Sequence, residues 1–473
     1  MANMQRSENS TIADASKTEV TRSSWSGKWS FILAAAASAV GLGNLWRFPY
    51  LAAKYGGGTF LLVYLFLVFT VGVSLLLLET SLGRKTGKSA IEAFKSFGKK
   101  YVFIGIITSI IPFIITPYYC VIGGWVMKYA AGYVIDGPAA LADGGAYFDS
   151  FIHSSFESYF WMLLFMVITF VVVAFGVKGG IEKANLILMP ALIVMAIAIA
   201  VFTVMQPGAF DGVLYYLTPD LSKLSPELFI GALGQMFYSL SLAMAIMITY
   251  GSYLAKKESL TSSVTRIAGF DLGVSLLAGL MIVPAAFVAF GSGEAVSAAS
   301  GPSLMFITLP QVFSSMGPAA PVIGFVFFML VLFAAFTSSI SLIEACVSII
   351  QDGAGWSRTK SLLMVIGVIV VSGLFINAGY NGLSFLQPLG AGSTLLDFFD
   401  FISNSVMMPI AAFLTCIFVG WIIKPQMLVD EIRTSSPFVL ADAWSFVIKF
   451  VAPAAVAIIF ITFVAQQFGL FSV

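Results

Sequence analysis

Residues 38–49 read Ser-Ala-Val-Gly-Leu-Gly-Asn-Leu-Trp-Arg-Phe-Pro, in the middle of a segment apolar enough to span a bilayer. Two glycines, an amide and a guanidinium at that depth are out of place in a simple anchor. Irregular backbone survives there only where it is buried in protein or lines a cavity. An ionisable residue such as Arg47 within a span marks a site by default. A second run repeats the anomaly: residues 231–253, GALGQMFYSLSLAMAIMITYGSY, set Ser239 and Ser241 beside Gln235 and Tyr238 at mid-span. The chemistry on offer is the binding of something polar at bilayer depth. Close helix packing through small residues is the competing reading of either run alone.

These residues need long apolar elements to hold them. The chain has 473 residues, 59% hydrophobic and 10% charged, with a mean hydropathy of +0.97, which no soluble domain matches. Continuous apolar stretches of about 20 residues predict a polytopic helical membrane protein, and their lack of alternation excludes a β-barrel. The expected fold class is therefore all-α. Eleven helices, α1–α11, are predicted near 29–53, 59–83, 102–134, 157–177, 181–205, 227–254, 262–291, 319–350, 361–377, 393–421 and 440–470.

Lys and Arg gather after α2 (Arg84, Lys85, Lys88, Lys95, Lys99, Lys100) and again after α4, α6, α8 and α10. The alternate loops are acidic, with Asp136, Asp143, Asp149, Asp211, Asp220 and Glu294. The positive-inside rule then places the N-terminus in the cytoplasm and the C-terminus outside. No signal peptide is expected, since residues 1–24 are polar. A net charge of +1 gives no reason to invoke nucleic acid; the expected surroundings are a lipid bilayer. Cys120, Cys346 and Cys416 sit in apolar spans and read as core residues, and His153 as a solvated loop residue. No nucleophile–base constellation or phosphate-binding loop is present, so neither an enzyme nor an ATP-driven pump is expected.

The two interrupted helices are each the first of five. Matched breaks in two five-helix halves point to an inverted-repeat transporter with its site near the midplane. The expected organisation is a tail over 1–28, a first repeat over 29–205, an outer loop over 206–226, a second repeat over 227–421, and an eleventh helix over 440–470.

Ala39-Val40-Gly41-Leu42-Gly43-Asn44-Leu45-Trp46-Arg47-Phe48-Pro49-Tyr50, followed by Gly56-Gly57-Gly58, resembles the signature of the neurotransmitter:sodium symporter family, in particular its bacterial eleven-helix amino-acid branch. The resemblance covers nearly the whole chain and implies a leucine-transporter-like fold, two sodium ions and an amino-acid substrate. By that resemblance the first sodium is bound by the Ala39 carbonyl, Asn44, Ser239, Asp271 and the substrate carboxylate. The second is bound by carbonyls of Ala37, Val40 and Ala334 and by the hydroxyls of Thr337 and Ser338. Oxygen ligands of low fixed charge suit a hard cation.

The resemblance also implies that the substrate carboxylate rests on the Gly41, Leu42 and Gly43 amides and on Tyr119. Ile115, Ile122, Tyr238, Ser239, Ser241, Leu242, Ala243, Met244, Ser338 and Leu342 would surround the rest of the substrate. Such a pocket is apolar and uncharged, and charged substrates are costly there; Gly41, where monoamine carriers hold an acid, favours an amino acid. Neutral hydrophobic amino acids, branched or aromatic, are the expected substrates. The outer gate would be Arg47 and Asp400, and the inner gate Arg22 and Asp352 braced by Trp25 and Tyr253. Gly180 and Pro190, nine residues apart, would let the cytoplasmic end of α5 unwind.

Tyr64, Gln235, Ser239 and Ser275 match the residues that hold chloride in animal relatives, where Asp271 is replaced by asparagine. The permanent charge of Asp271 predicts chloride-independent transport. A channel would favour a ring of repeated filter residues. A sensor that binds without transporting stays open at this stage.

Overall fold

The computed structural model describes residues 24–298 and 301–470; Arg22, half of the expected inner gate, lies outside them. Among the described residues every regular element is helical, and the only strand-like pairing is one antiparallel bridge between Gly57 and Pro219. Nine helices there are long and apolar enough to cross a membrane. They are α2 (Gly58–Thr86), α3 (Lys99–Ile135), α4 (Glu157–Ala174), α5 (Val177–Val204), α7 (Leu260–Phe290), α8 (Gly317–Ala354), α9 (Arg358–Ala378), α10 (Leu395–Ile422) and α11 (Ala441–Gln467).

The remaining two spans are broken. α1 consists of Lys28–Ala39 and Gly43–Lys54, bent by 55°. α6 consists of Pro226–Ser239 and Ile246–Ser252, with residues 240–245 between them outside any helix. Neither half of α6 is long enough to span alone, and the interruption expected within 227–254 falls at residues 240–245. The other expected boundaries agree within a few residues.

Local chemistry explains where these helices start and stop. The side chain of Ser225 accepts from the Leu228 N–H just ahead of Pro226, and the Ser259 and Ser357 side chains cap α7 and α9 in the same way. Thr394 and Asp397 form a reciprocal capping box at the head of α10. Such caps satisfy N–H groups that have no partner within the helix. At the other ends, α2, α7 and α8 stop at Gly87, Gly291 and Gly355, each left-handed, where glycine carries no Cβ penalty.

The broken helices lie inside the bundle: residues 30–32 and 34–46 are buried, as are 239–251. α4, α5 and α9 carry the outward apolar surface, with Val167, Val171, Ile187, Val194, Leu363 and Val371 exposed, as lipid-facing helices require. Cys120, Cys346 and Cys416 are free and buried, and His153 is about half exposed. The end of the bundle that carries Lys85, Lys256, Lys257 and Arg358 is called the basic end below.

Two glycines allow α2 to touch the second half of α6. A Cβ on Gly83 would lie 1.9 Å from the Ile248 carbonyl oxygen, and one on Gly251 would lie 2.3 Å from that of Thr80. Gly83→Ala is expected to force these backbones apart at about 1–3 kcal/mol, read as a lower thermal midpoint of the purified protein in detergent. An unchanged midpoint would mean that the contact is not tight.

Candidate functional site

At Val40 the backbone of α1 turns extended (φ −71°, ψ 103°), and α1 resumes through a π-helical turn at Gly43–Arg47. In α6 the break is sharper, since Ser241, Ala243 and Ala245 take φ of 52°, 61° and 62°. An L-residue in that region costs about 1–2 kcal/mol, so the segment has to be held from outside. Glu79 of α2 does so: one of its carboxylate oxygens accepts from the Ala243 N–H at 2.7 Å, and the other is buried without a partner.

Side-chain hydroxyls tie the two breaks to each other and to α8. Ser241 Oγ donates to the Ser38 carbonyl at 3.0 Å. Ser338 Oγ lies 3.2 Å from the Ser38 carbonyl and 3.3 Å from that of Val40. Tyr119 Oη accepts from the Leu42 N–H at 3.3 Å, and Gln235 Nε2 donates to the Gly43 carbonyl at 3.1 Å. Thr337 Oγ1 bonds to the Ala334 carbonyl at 3.0 Å. Ser338 thus joins α8 to Val40 at the first break, Ala334 and Thr337 bond to each other within α8, and Ala37 is buried one turn before the break.

Asp271 of α7 is the centre of a second cluster. Ser239 Oγ donates to Asp271 Oδ1 at 2.6 Å and Asn44 Nδ2 to the same oxygen at 2.7 Å. Asn44 also reaches Ser239 and Ser275 at 2.9 and 2.8 Å, and its Oδ1 accepts from the Gly41 N–H at 2.9 Å. Asp271 is fully buried, Oδ2 has no hydrogen-bond partner, and among the described residues no Lys or Arg pairs with it. Tyr64 Oη lies near Ser239, Ser275 and Asp271, and Tyr64 Oη and Gln235 Oε1 are likewise buried and unpartnered.

Between the clusters is a cavity of about 30 Å³ lined by Ser38, Ala39, Gly41, Leu42, Gly43, Asn44, Ile115, Tyr119, Tyr238, Ser239, Ser241, Met244, Ile246, Ser338 and Leu342. That is room for about two water molecules, so a larger occupant needs its walls to give. Gly41 and Gly43 keep the pocket open, since a Cβ would sit 3.0 Å from both Ser338 Oγ and Tyr119 Oη, or 2.6 Å from the Tyr238 ring, and those side chains would have to shift.

Tyr238 also floors a cavity of about 470 Å³ whose walls include Trp46, Arg47, Asp400, Asn404 and Phe463. Arg47 and Asp400 share this vestibule without a direct bond. Asp400 accepts from Asn404 at 2.6 Å, and the Arg47 guanidinium lies 5.8 Å from the centre of the Phe463 ring. Ile122, expected in the pocket, faces the vestibule instead. Leu242 and Ala243 are buried behind the pocket wall rather than lining it, because the alternating backbone at 241–245 turns Ser241 and Met244 inward.

The basic end is sealed. Trp25 Nε1 donates to the Tyr250 carbonyl at 3.1 Å, and the indole packs edge-on against Tyr250 and Tyr253. Tyr253 Oη donates to Glu344 at 2.9 Å, which Arg358 also holds at 3.0 Å. Asp352 accepts from the Ser89 N–H at 2.6 Å. Gly180 lies in a π-helical turn, Val177–Glu182, where a Cβ would meet the Val172 carbonyl oxygen at 1.9 Å; Pro190 lies within α5. Sequence reading missed Ser38, Ile246 and Glu79. A lone acid within the apolar run of α2 was the signal for Glu79; nothing distinguished the other two from ordinary packing residues.

A family model for the sodium:neurotransmitter symporter family matches residues 22–135 and 149–470. A sodium-dependent transporter of Haemophilus influenzae is 32% identical over 457 residues, covering 93% of this chain and 98% of the relative. The sodium-dependent transporter YhdH of Bacillus subtilis is 34% identical, covering 93% and 97%. The human sodium- and chloride-dependent GABA transporter 2 is 26% identical, covering 87% and 75%. The crystal structure of MhsT in complex with L-phenylalanine superposes with a TM-score of 0.82 at 34% identity, covering 93% of this chain and 99% of that one.

The strain at residues 241–245 makes a prediction of its own. Ala243→Gly and Ala245→Gly relieve left-handed alanines and are each expected to stabilise the protein by about 1 kcal/mol, seen as a higher thermal midpoint. A lower midpoint for both would contradict the strained backbone.

Proposed function

Because this chain belongs to the sodium:neurotransmitter symporter family, we propose that it takes up neutral hydrophobic L-amino acids together with sodium by alternating access, without chloride. The observation that carries this reading is Asp271. A fully buried carboxylate with one unpartnered oxygen and no Lys or Arg ion-paired with it among the described residues calls for a positive partner, since an uncompensated buried charge costs several kcal/mol. Sodium meets that need as cargo, with Asn44, Ser239 and the Ala39 carbonyl as further oxygen ligands. The second sodium fits the Ala37, Val40 and Ala334 carbonyls with Thr337 and Ser338. Each sodium moved down 100 mV contributes about 2.3 kcal/mol, before its concentration gradient is added.

The substrate carboxylate is assigned to the N–H groups of Gly41–Gly43 and to Tyr119, at the positive end of the second half of α1. Its side chain occupies the pocket among Ile115, Met244, Ile246 and Leu342, which has no fixed charge. L-phenylalanine in the similar MhsT complex supports a hydrophobic substrate, and the deformable Met244 together with Tyr238 gives the tight cavity its means of expansion. The vestibule faces outward and the basic end the cytoplasm, so Arg47 and Asp400 close above the substrate, while Trp25, Tyr253 and Asp352 close below it. Unwinding of α5 between Gly180 and Pro190 then opens the way for sodium to leave.

Chloride is excluded by charge. An anion about 4 Å from Asp271 is repelled by about 4 kcal/mol at an effective dielectric constant of 20. Equilibrium binding of labelled phenylalanine and leucine to the purified protein is expected to require sodium and to ignore chloride. Asp271→Asn is expected to weaken sodium-dependent binding at least about tenfold, a loss of 1.4 kcal/mol, and to restore part of it when chloride is added. Binding by the wild type that is equal in sodium and potassium, or an Asp271→Asn variant indifferent to both ions, would overturn the assignment.

A further inference from the structure

Glu182 stands apart from every role assigned so far. It ends the π-helical turn that opens α5 (Val177–Glu182), and its side chain is buried. Among the described residues no Lys or Arg pairs with it. The neighbouring cations face elsewhere: Lys178 and Lys183 are exposed, and Lys28 Nζ donates to Ser262 Oγ at 3.1 Å. The carboxylate is bound to α1 instead. One oxygen accepts from the Ser26 N–H at 3.1 Å and the other from Ser30 Oγ at 2.6 Å.

Those two bonds sit at the start of α1, where the first N–H groups have no partner within the helix and the end of the dipole is positive. The N-cap, Gly27, has no side chain with which to cap. Glu182 bonds to the residue before that N-cap and to the hydroxyl of the third residue of the helix, so a carboxylate of α5 braces the start of α1 from outside without capping its N–H groups. Charge-assisted bonds of this kind are roughly twice as strong as neutral ones.

The α5 side of the joint is the weaker one. Its backbone is already π-helical at Val177–Glu182, Gly180 gives it little intrinsic helicity, and Pro190 lacks the N–H that would tie it back one turn earlier. One turn beyond Glu182, Asn185 is buried with neither its amide nitrogen nor its amide oxygen bonded. A polar group left that way gains by hydration as soon as the seam parts.

We propose that Glu182 is the positioning residue that binds the first half of α1 to the start of α5, so that these two segments release from the bundle as one unit when the basic end opens. The proposal rests on the alternating-access reading above and adds a named coupling to it. Without Glu182 the two segments open independently, and the closed state of the basic end loses its main polar tie between them.

Hydrogen–deuterium exchange of the full chain in lipid nanodiscs tests this through residues 26–33 and 177–186, with residues 102–135 of α3 as the folding control. In sodium the wild type is expected to protect both segments. Glu182→Ala raises exchange in both by about tenfold, the minimum expected from losing a hydrogen bond to a charged group, and leaves α3 unchanged. Ser30→Ala, which keeps Glu182 and removes only one donor from α1, raises both segments by less, and its effect vanishes in the Glu182→Ala background.

Faster exchange in 177–186 alone, or in neither segment, would overturn the proposal. If Glu182→Ala also loosens α3, the variant is misfolded and Ser30→Ala decides: no change at 177–186 overturns the proposal, and a rise there supports it. Sodium-dependent phenylalanine binding measured on the same samples separates the two readings. Its absence in the wild type counts against the symporter assignment, whereas the paired response of the two segments is read independently of any ligand.

Discussion

One carboxylate without a cationic side chain sets the terms for the core of this protein. Asp271 is buried at the meeting of α1, α6 and α7, and holding it there requires hydrogen-bond donors and compensation of its charge. Asn44 and Ser239 supply the donors. Ser239 is the last residue before the break in α6 and Asn44 lies just after the break in α1, so the residues that satisfy Asp271 flank the two breaks. The unwound stretches beside them expose carbonyl and N–H groups around a small cavity. A membrane interior gives such groups no alternative partner.

The breaks are costly, and the surrounding structure offsets the cost with short-range polar contacts. Glu79 holds the strained 241–245 segment from behind, while the hydroxyls of Ser241 and Ser338 take up carbonyls freed by the first break. Glycines let backbones and rings approach at Gly41, Gly43, Gly83 and Gly251. The two ends of the bundle are closed to different degrees. Aromatic packing of Trp25 with Tyr250 and Tyr253 fills one end, whereas a cavity of about 470 Å³ reaches Tyr238 from the other. A site that is reachable from one side at a time is what coupling an uphill flux to a downhill ion requires.

Much of this was legible in the chain. Apolar runs gave the spans to within a few residues, since hydrophobic length is set by the bilayer. Glycine, asparagine and arginine within such a run disclosed the break in α1. The break in α6 was legible only as a stretch rich in serine: its depth came from left-handed alanines, which no propensity argument favours. Contacts that depend on fine geometry were not readable. Ile122 turned to the vestibule, Leu242 turned behind the wall, and Ser38 entered the site through its carbonyl, an atom every residue has. The tie that Glu182 makes to the start of α1 was equally hidden, because its partners lie about 150 residues away in the sequence and join only in the folded bundle.

The central claim, that sodium answers the charge of Asp271 and drives an amino acid across the membrane, is tested most directly by uptake into proteoliposomes. Labelled phenylalanine and leucine are supplied outside, with sodium outside and potassium within, in gluconate rather than chloride. The account predicts accumulation well above the external concentration, abolished when the sodium gradient is collapsed and unchanged when chloride replaces gluconate. Equal uptake with and without the sodium gradient, or sodium-dependent binding with no accumulation, would contradict it.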